Sequence, residues 1–206
     1  MSLRKMACRW AAKIGLLAAY AVVFVGSGVL NPTPLAQPSE KKQEKGTSAM
    51  QMTIRSDAFA AGKPIPLKYT GDGTNVSPPL SWSDVPQNTK ELALIVDDPD
   101  APSAEPWVHW VIYKIPADAK DLPEGIAPMA KVDKPAGAIQ GKSSFGKIGY
   151  GGPYPPRGHG VHHYYFKLYA LDTALALQAG ADKKALLSAM SGHVVGQAET
   201  VGTYQR

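Results

Sequence analysis

From residue 50 onward, short apolar runs alternate with clusters of residues that favour turns. The apolar runs cover residues 52–54, 67–70, 91–96, 108–115 and 164–171. The segments between them, rich in Pro, Gly, Asp and Asn, include residues 71–75, 77–79, 98–102 and 149–158. Short strands interrupted this often by Pro and Gly are typical of a β-sandwich or barrel rather than of alternating strands and helices. The pattern therefore predicts a mainly β domain.

Helical patterns are confined to the end of the chain. Asp182 is a suitable N-cap for a helix over residues 183–190, and Gly192 is placed to end that helix. We expect a second helical stretch over residues 193–200. The prediction is thus a β-sandwich with short C-terminal helices.

Three carboxylates follow the apolar run at residues 91–96. They are Asp97, Asp98 and Asp100, and Pro99 and Pro102 restrict the backbone around them. Acids at the end of a strand are often simple turn formers, and that interpretation stays open for Asp97 and Asp100. The other interpretation is that the carboxylates belong to a functional site.

A histidine lies within the apolar run that begins at Trp107. Because side chains alternate along a strand, His109 is predicted to share one face with Trp107, Val111 and Tyr113. Taken alone, such a residue is most simply a buried core histidine. A position in the wall of a site is the alternative.

The segment that begins at His162 combines an imidazole with a phenol. Alternation places His162 and Tyr164 side by side and directs His163 to the opposite face. The segment before it holds Pro155 and the glycines whose backbone N–H groups would be open to a ligand, namely Gly151, Gly152, Gly158 and Gly160. These groups suit an anion site, although a hairpin loop would also need such glycines.

The N-terminal segment has the layout of an export signal. A cationic stretch before residue 14 precedes an apolar run over residues 14–30, and Pro34 follows shortly afterwards. We interpret residues 1–36 as a signal peptide or an N-terminal membrane anchor and residues 37–49 as a polar linker. Either interpretation places the domain at residues 50–206 outside the cytoplasmic membrane, in the periplasm or attached to that membrane.

The charge and cysteine content narrow the function further. The chain has 22 basic and 17 acidic residues, but Arg4, Lys5, Arg9 and Lys13 all lie in the N-terminal segment, so the domain is nearly neutral. It has no basic stripe interleaved with aromatic residues, which argues against nucleic-acid binding. The single cysteine, Cys8, precedes the domain, so the domain itself has no disulfides and no cysteine-ligated metal.

Taken together, three segments resemble the signature of the phosphatidylethanolamine-binding protein (PEBP) family, which includes the Raf kinase inhibitor proteins. They are residues 98–103 (Asp-Pro-Asp-Ala-Pro-Ser), 107–110 (Trp-Val-His-Trp) and 155–164 (Pro-Pro-x-Gly-x-Gly-x-His-x-Tyr). Residues 69–82 and 192–204 are similar to the bacterial and archaeal YbhB/YbcL branch of that family. The resemblance covers the whole domain, with the segments in the expected order.

This resemblance implies two antiparallel sheets packed together and a shallow anion pocket at one end. The pocket residues that it implies are Asp98, Trp107, His109, Pro155, His162 and Tyr164, with Asp100 supporting the first loop. The sequence departs from the family at His163, where many members have arginine, and at residues 103–106, where we expect a glycine-bearing segment.

The preferred hypothesis is a non-enzymatic binding protein, without a cofactor or metal, for a small anionic or phosphorylated ligand. A phospholipid headgroup or another phosphorylated group would be held by His109, His162, the Tyr164 hydroxyl and loop amides. Asp98 would orient the imidazoles and favour their charged form. The resemblance adds inhibition of kinases or proteases as an output, and the sequence leaves a homodimer open. Membrane contact is expected only through the N-terminal segment.

Two alternatives use the same residues differently. The first is a metal-dependent or acid/base hydrolase built on the Asp and His side chains. The second is an interaction module that acts through its surface and has a vestigial pocket.

Overall fold

The computed structural model describes residues 51–206. The predicted signal peptide or anchor, the predicted linker and Cys8 lie outside the described residues. The strands in the described part are β1 (Thr53–Arg55), β2 (Lys63–Pro64), β3 (Leu80–Ser83), β4 (Glu91–Asp98), β5 (Trp107–Pro116), β6 (Asp121–Leu122), β7 (Ile139–Gln140), β8 (His162–Leu171) and β9 (Val194–Tyr204).

The strands form two sheets. The smaller sheet has the order β1-β3-β6 and the larger has the order β2-β9-β8-β4-β5-β7. All pairs are antiparallel except β2 with β9, where Lys63 pairs with Gly202 in a parallel register. The predicted mainly β, two-sheet fold class is confirmed.

The larger sheet is covered on both faces. Its first face packs on the smaller sheet, where Leu94, Trp110 and Phe166 meet Ile54 and Trp82. Its second face carries Ile95 and Val111 and packs against Leu186 and Met190 of helix α1 (Lys183–Met190). Burial on both faces explains why every residue of β4 is buried and why that segment is almost continuously apolar.

Helix α1 forms at the predicted position. The Asp182 carboxylate accepts a hydrogen bond from the Ala185 backbone amide at 2.8 Å, as an N-cap should. In the described residues, no helix is long and apolar enough to cross a membrane.

The predicted second helical stretch is wrong. Residues 193–200 belong mostly to β9, which pairs with β8 from Val194 opposite Leu171 to Tyr204 opposite His162. Its valines suit a strand, and Gly202 has no room for a side chain because an added Cβ would lie 2.5 Å from Ile65. Pairing with a distant strand therefore decided the conformation of this segment.

The run at residues 67–70 also differs from the prediction. Leu67–Tyr69 is a short 3₁₀ helix rather than a strand. Pro66 precedes its first turn, and its carbonyl accepts a hydrogen bond from the Tyr69 amide at 2.9 Å. The Thr70 hydroxyl closes the other end by donating to the Leu67 carbonyl at 2.9 Å.

A β-bulge interrupts the alternation of β5. Asp97 pairs with Val108 and Val96 pairs with Trp110, so His109 is an extra residue with no partner in β4. The prediction that His109 shares a face with Val111 and Tyr113 is wrong, because those two side chains pack into the core beside α1. The bulge turns His109 away from that core.

Candidate functional site

A pocket of about 180 Å³ lies where the ends of β4, β5 and β8 meet. That volume suits a group the size of a phosphate or small headgroup, since sites for drug-sized ligands begin at roughly 300 Å³. The residues that line it are Asp98, Ala101, Pro102, Ser103, Trp107, His109, Phe145, Tyr154, Pro155, Pro156, His162 and Tyr164. Six of the seven predicted site residues are thus brought together.

The exception is Asp100, which does not line the pocket. Its carboxylate instead accepts hydrogen bonds from the His163 amide at 2.8 Å and from His163 Nδ1 at 2.7 Å. Its own amide donates to Asp98 Oδ1 at 2.8 Å. Asp100 therefore supports the pocket by joining the first loop to the start of β8. His163 faces outward, as alternation predicts.

Asp98 and His162 form the buried base of the pocket. His162 Nδ1 lies 2.7 Å from Asp98 Oδ2, and the two side chains are 1% and 4% exposed. A carboxylate can only accept in this pair, so the proton lies on Nδ1 of the imidazole. Because Asp98 Oδ1 accepts the Asp100 amide, the carboxylate is held at both oxygens. Asp98 fixes the orientation and tautomer of His162.

His109 is held in a similar way by Gly151. Its Nδ1 lies 2.6 Å from the Gly151 carbonyl oxygen, so Nδ1 is the donor and Nε2 is left free. Burial lowers the pKa of His109 from its ordinary value, although the Gly151 carbonyl and Asp98 act in the opposite direction. At neutral pH the ring is therefore uncharged, and Nε2 is a hydrogen-bond acceptor.

Tyr164 supplies a hydroxyl donor that no described residue accepts. The residue is 1% exposed, and its hydroxyl has no hydrogen-bond partner among the described residues. Burial raises the pKa of Tyr164, and Asp98 adds to that shift through its charge and its closeness to the hydroxyl, although the two groups do not meet hydrogen-bond geometry. The phenol therefore keeps its proton. Its ring stands edge-on to His109, with centroids 5.0 Å apart.

The rim of the pocket is largely aromatic. Phe145 contacts Trp107 and His109 with ring centroids 5.5 and 5.4 Å away. Phe145 and Tyr154 are 41% and 52% exposed, which is unusual for such large apolar groups. Polar groups at the base and apolar groups at the rim would favour a ligand with a charged end and a less polar remainder.

Asp97, next to Asp98 in the chain, has a different role. Its carboxylate is on the other face of the sheet, where it forms ion pairs with Lys167, at 2.8 Å, and with Lys183 of α1. With 1% exposure it is a buried structural charge rather than a simple turn former. It takes no part in the pocket.

Two of the four glycine amides expected to face a ligand, those of Gly151 and Gly152, form hydrogen bonds within the protein. The Gly151 amide donates to the His109 carbonyl at 2.9 Å, and the Gly152 amide donates to Asn75 Oδ1 at 2.7 Å. An added Cβ at Gly152 would lie 2.3 Å from the Tyr69 carbonyl oxygen. These two glycines are therefore required for close packing, and their N–H groups are not available to a ligand.

The sequence interpretation missed His159. Its Nδ1 lies 2.8 Å from His162 Nε2, and the two rings are 5.0 Å apart at their centroids. An exposed histidine between Gly158 and Gly160 gives no periodic signal. The positions of Phe145 and Tyr154 were missed for a similar reason, because contacts between loops place them.

Arg206 supports the loop at residues 153–160, which we call the pocket loop. Its guanidinium lies 3.6 Å from the Tyr154 ring centroid and forms an ion pair with Asp72 at 2.9 Å. The Arg206 carbonyl accepts the Gly158 amide at 3.2 Å. Asp72 is held in turn by the Tyr204 hydroxyl at 2.9 Å. The end of β9 thus braces one wall of the pocket.

Within residues 51–206, no group of three or more His, Cys, Asp or Glu side chains is arranged to hold a metal ion. The buried Asp98–His162 pair and the Nε2 atom of His109 instead present hydrogen-bonding groups to the pocket.

A two-sheet β-sandwich with a small histidine-lined pocket at one end of its larger sheet defines the class of protein. Residues 55–205 match the family model described as phosphatidylethanolamine-binding protein. The chain belongs to that family, in its bacterial and archaeal branch. Membership supports a binding-protein fold.

The relatives and solved structures cover the domain. The chain is 49% identical over 161 residues to a UPF0098 protein of Pyrococcus horikoshii, with 78% of this chain and 80% of that protein covered. It is 50% identical over 155 residues to one of Methanothermobacter thermautotrophicus, with 75% and 99% covered.

Two solved structures have the same fold. A putative PEBP homologue of Chlamydia trachomatis is 43% identical with a TM-score of 0.68, covering 76% of this chain and 98% of that one. Escherichia coli YbcL is 33% identical with a TM-score of 0.70, covering 76% and 99%.

Proposed function

We propose that the domain is a non-enzymatic binding protein whose pocket holds a small phosphate-bearing group. The observation that carries this proposal is the Tyr164 hydroxyl, a donor that is 1% exposed and unpaired within the described residues. A buried hydroxyl without a partner lowers the stability of a protein by about 1–3 kcal/mol. A ligand oxygen that accepts its hydrogen bond would remove that cost.

The neutral state of His109 indicates which form of phosphate fits. Nε2 of the neutral ring accepts a hydrogen bond, whereas the Tyr164 hydroxyl donates one. A phosphate monoester with one protonated oxygen offers both a donor and an acceptor. Its P–OH would donate to His109, and a second oxygen would accept from Tyr164. His162, oriented by Asp98, would contribute a third contact by donating from Nε2 when that nitrogen is protonated.

The aromatic rim supports a ligand that extends beyond its phosphate. Trp107, Phe145 and Tyr154 surround the entrance. A phosphorylated side chain would place less polar atoms against these rings, whereas the phosphodiester of a phospholipid headgroup lacks the P–OH that would donate to His109. Regulation of a kinase or protease would follow if such a group belonged to a protein partner. The N-terminal segment would keep the pocket on the extracytoplasmic side, where a cytoplasmic kinase is not accessible.

The proposal is tested by titrating the full-length chain with inorganic phosphate while NMR follows its five histidines. We expect the His109 and His162 signals to shift with phosphate, and the shifts to be lost in a His109→Ala/Tyr164→Phe variant. The matched control is His193→Ala, because His193 lies outside the pocket and is paired with Asp172 at 3.0 Å. If millimolar phosphate leaves the His109 and His162 signals of the wild type unchanged, the proposal is wrong.

A hydrolase remains the second candidate, and one observation favours it. Asp98, His162 and His159 form a continuous hydrogen-bonded chain from the buried base of the pocket to the surface. Such a chain can carry a proton during acid/base catalysis. Turnover of a phosphomonoester, with and without added zinc, would be compared between the wild type and a His109→Ala/His162→Ala variant. If the wild type turns over the phosphomonoester and the variant does not, the function is catalysis rather than binding alone.

A further inference from the structure

Both ring nitrogens of His162 form hydrogen bonds with neighbouring side chains. Nδ1 donates to Asp98, and Nε2 shares a hydrogen bond of 2.8 Å with His159 Nδ1. His162 itself lines the pocket and is 1% exposed. A ligand oxygen therefore cannot bond to His162 Nε2 while His159 stays in place, since that nitrogen forms a single directed hydrogen bond.

The position of His159 in the chain allows it to leave. It is exposed and lies between Gly158, with φ +75°, and Gly160, with φ +93°. Glycine adopts these left-handed conformations and others at little cost. A Cβ added at either glycine would meet nothing within 4 Å, so the backbone here has open space on both sides. The His159 amide donates to the Pro156 carbonyl at 3.2 Å, a turn contact that ring rotation does not disturb.

The His159 ring is exposed, and its hydrogen bond to His162 is the one that its side chain makes among the described residues. Its ring lies 5.0 Å from His162 at an interplanar angle of 54°. When His162 carries a proton on both ring nitrogens, its Nε2–H donates to His159 Nδ1, and an anionic phosphate oxygen is a stronger acceptor for that N–H than a neutral imidazole nitrogen. An anion that reaches His162 would therefore outcompete His159, whereas an uncharged ligand would not.

We propose that His159 is a displaceable cap that occupies His162 Nε2 until an anionic group takes its place. This inference rests on the proposed function. It makes His159 a specificity-determining residue, because only ligands that bond to His162 more strongly than His159 does gain the third contact. The apparent affinity equals the intrinsic affinity multiplied by the fraction of molecules in which the cap is open.

The test measures inorganic phosphate binding to the full-length chain by calorimetry in the wild type, His159→Ala, His162→Ala and His193→Ala. Removing the cap should tighten phosphate binding by roughly threefold to tenfold, the range expected for one hydrogen bond of ordinary net strength. His162→Ala should weaken binding, and His193→Ala should leave it unchanged. An affinity of His159→Ala equal to or below that of the wild type would overturn the cap.

A spectroscopic measurement tests the displacement directly. In ¹⁵N-histidine-labelled protein, the N–H···N bond between His159 and His162 should give a nitrogen–nitrogen coupling that disappears as phosphate saturates the pocket. A coupling that persists at saturation means that the ligand does not use His162 Nε2 and that the cap does not open.

The two proposals fail differently. If the wild type binds phosphate and the His159→Ala variant binds it equally well or more weakly, only the cap is rejected. An absence of phosphate effects on every histidine, in the wild type and in His159→Ala, rejects the binding function and the cap together.

Discussion

Gly151 holds His109 through two reciprocal hydrogen bonds. The Gly151 carbonyl accepts from His109 Nδ1 at 2.6 Å, and the Gly151 amide donates to the His109 carbonyl at 2.9 Å. The loop between β7 and β8 thereby fixes both the backbone of the bulge and the tautomer of its imidazole. Both properties of His109 depend on a glycine more than forty residues away in the chain.

The buried neutral state of His109 should make stability depend on pH. The pKa of His109 is lowered in the folded protein, so the unfolded chain binds more protons as the pH falls below about 6.5. The stability that depends on neutral His109 is complete above that pH and is lost as the pH falls toward the folded pKa. The loss proceeds by at most about 1.4 kcal/mol per pH unit. His109→Gln should flatten this dependence in urea unfolding followed from pH 8 to pH 5, a range on either side of about 6.5. Identical slopes for the two proteins would contradict the assignment.

Tyr164→Phe should separate stability from binding. The change removes a buried hydroxyl that has no partner, so the ligand-free protein should be as stable as the wild type or more stable by up to about 1 kcal/mol. The same change should weaken phosphate binding by roughly tenfold, since a hydrogen bond to a charged ligand is lost. Chemical unfolding and calorimetry measure the two effects. A destabilisation above about 1.5 kcal/mol would show that the hydroxyl is bonded before the ligand binds.

Asp97 and Asp98 should give opposite phenotypes. Asp97→Asn leaves Lys167 and Lys183 without their buried counter-charge, and we expect a loss of about 3 kcal/mol in the free energy of unfolding. Phosphate affinity of the folded protein should not change. Asp98→Asn removes the charge that orients His162 and should reduce phosphate affinity. If the two variants lose phosphate affinity equally, Asp97 contributes to phosphate binding from the opposite face of the sheet and the prediction is wrong.

Arg206→Ala should loosen the pocket loop. The Arg206 side chain covers the Tyr154 ring and pairs with Asp72, and its carbonyl accepts the Gly158 amide, so truncation removes the first two contacts and keeps the third. We expect faster hydrogen exchange over residues 153–160 and phosphate binding weaker by roughly twofold to fivefold. Arg55→Ala is the matched control, since Arg55 ends β1 and its exposed ion pair with Asp57 does not line the pocket. If Arg206→Ala leaves the exchange rates over residues 153–160 unchanged, the Arg206 side chain does not stabilise the pocket loop.

Local periodicity predicted part of the site. His162 and Tyr164 are two residues apart in an uninterrupted strand, so alternation was sufficient to place them together. The same rule failed for His109, because the bulge depends on how β5 pairs with β4 and no local pattern records that register. The family resemblance, rather than periodicity, brought His109 and Asp98 into one pocket.

Other features were not predictable from the sequence for related physical reasons. The conformation of β9 was decided by its partner β8, and its own pattern had suggested a helix. His159 was missed because its single ring contact is made from a loop without periodicity. In both cases the determining contact lies outside the window in which a sequence pattern is read.

The bulge at His109 separates the chemistry of the pocket from the architecture of the protein. Val108 and Trp110 keep their places opposite Asp97 and Val96, while the extra residue between them has no partner in β4 and lines the pocket. A substitution at residue 109 therefore acts first on the pocket, because no residue pair of the β4–β5 ladder includes it. The pairs that hold the sheet together and the ring that faces the pocket are thus supplied by different residues of the same strand.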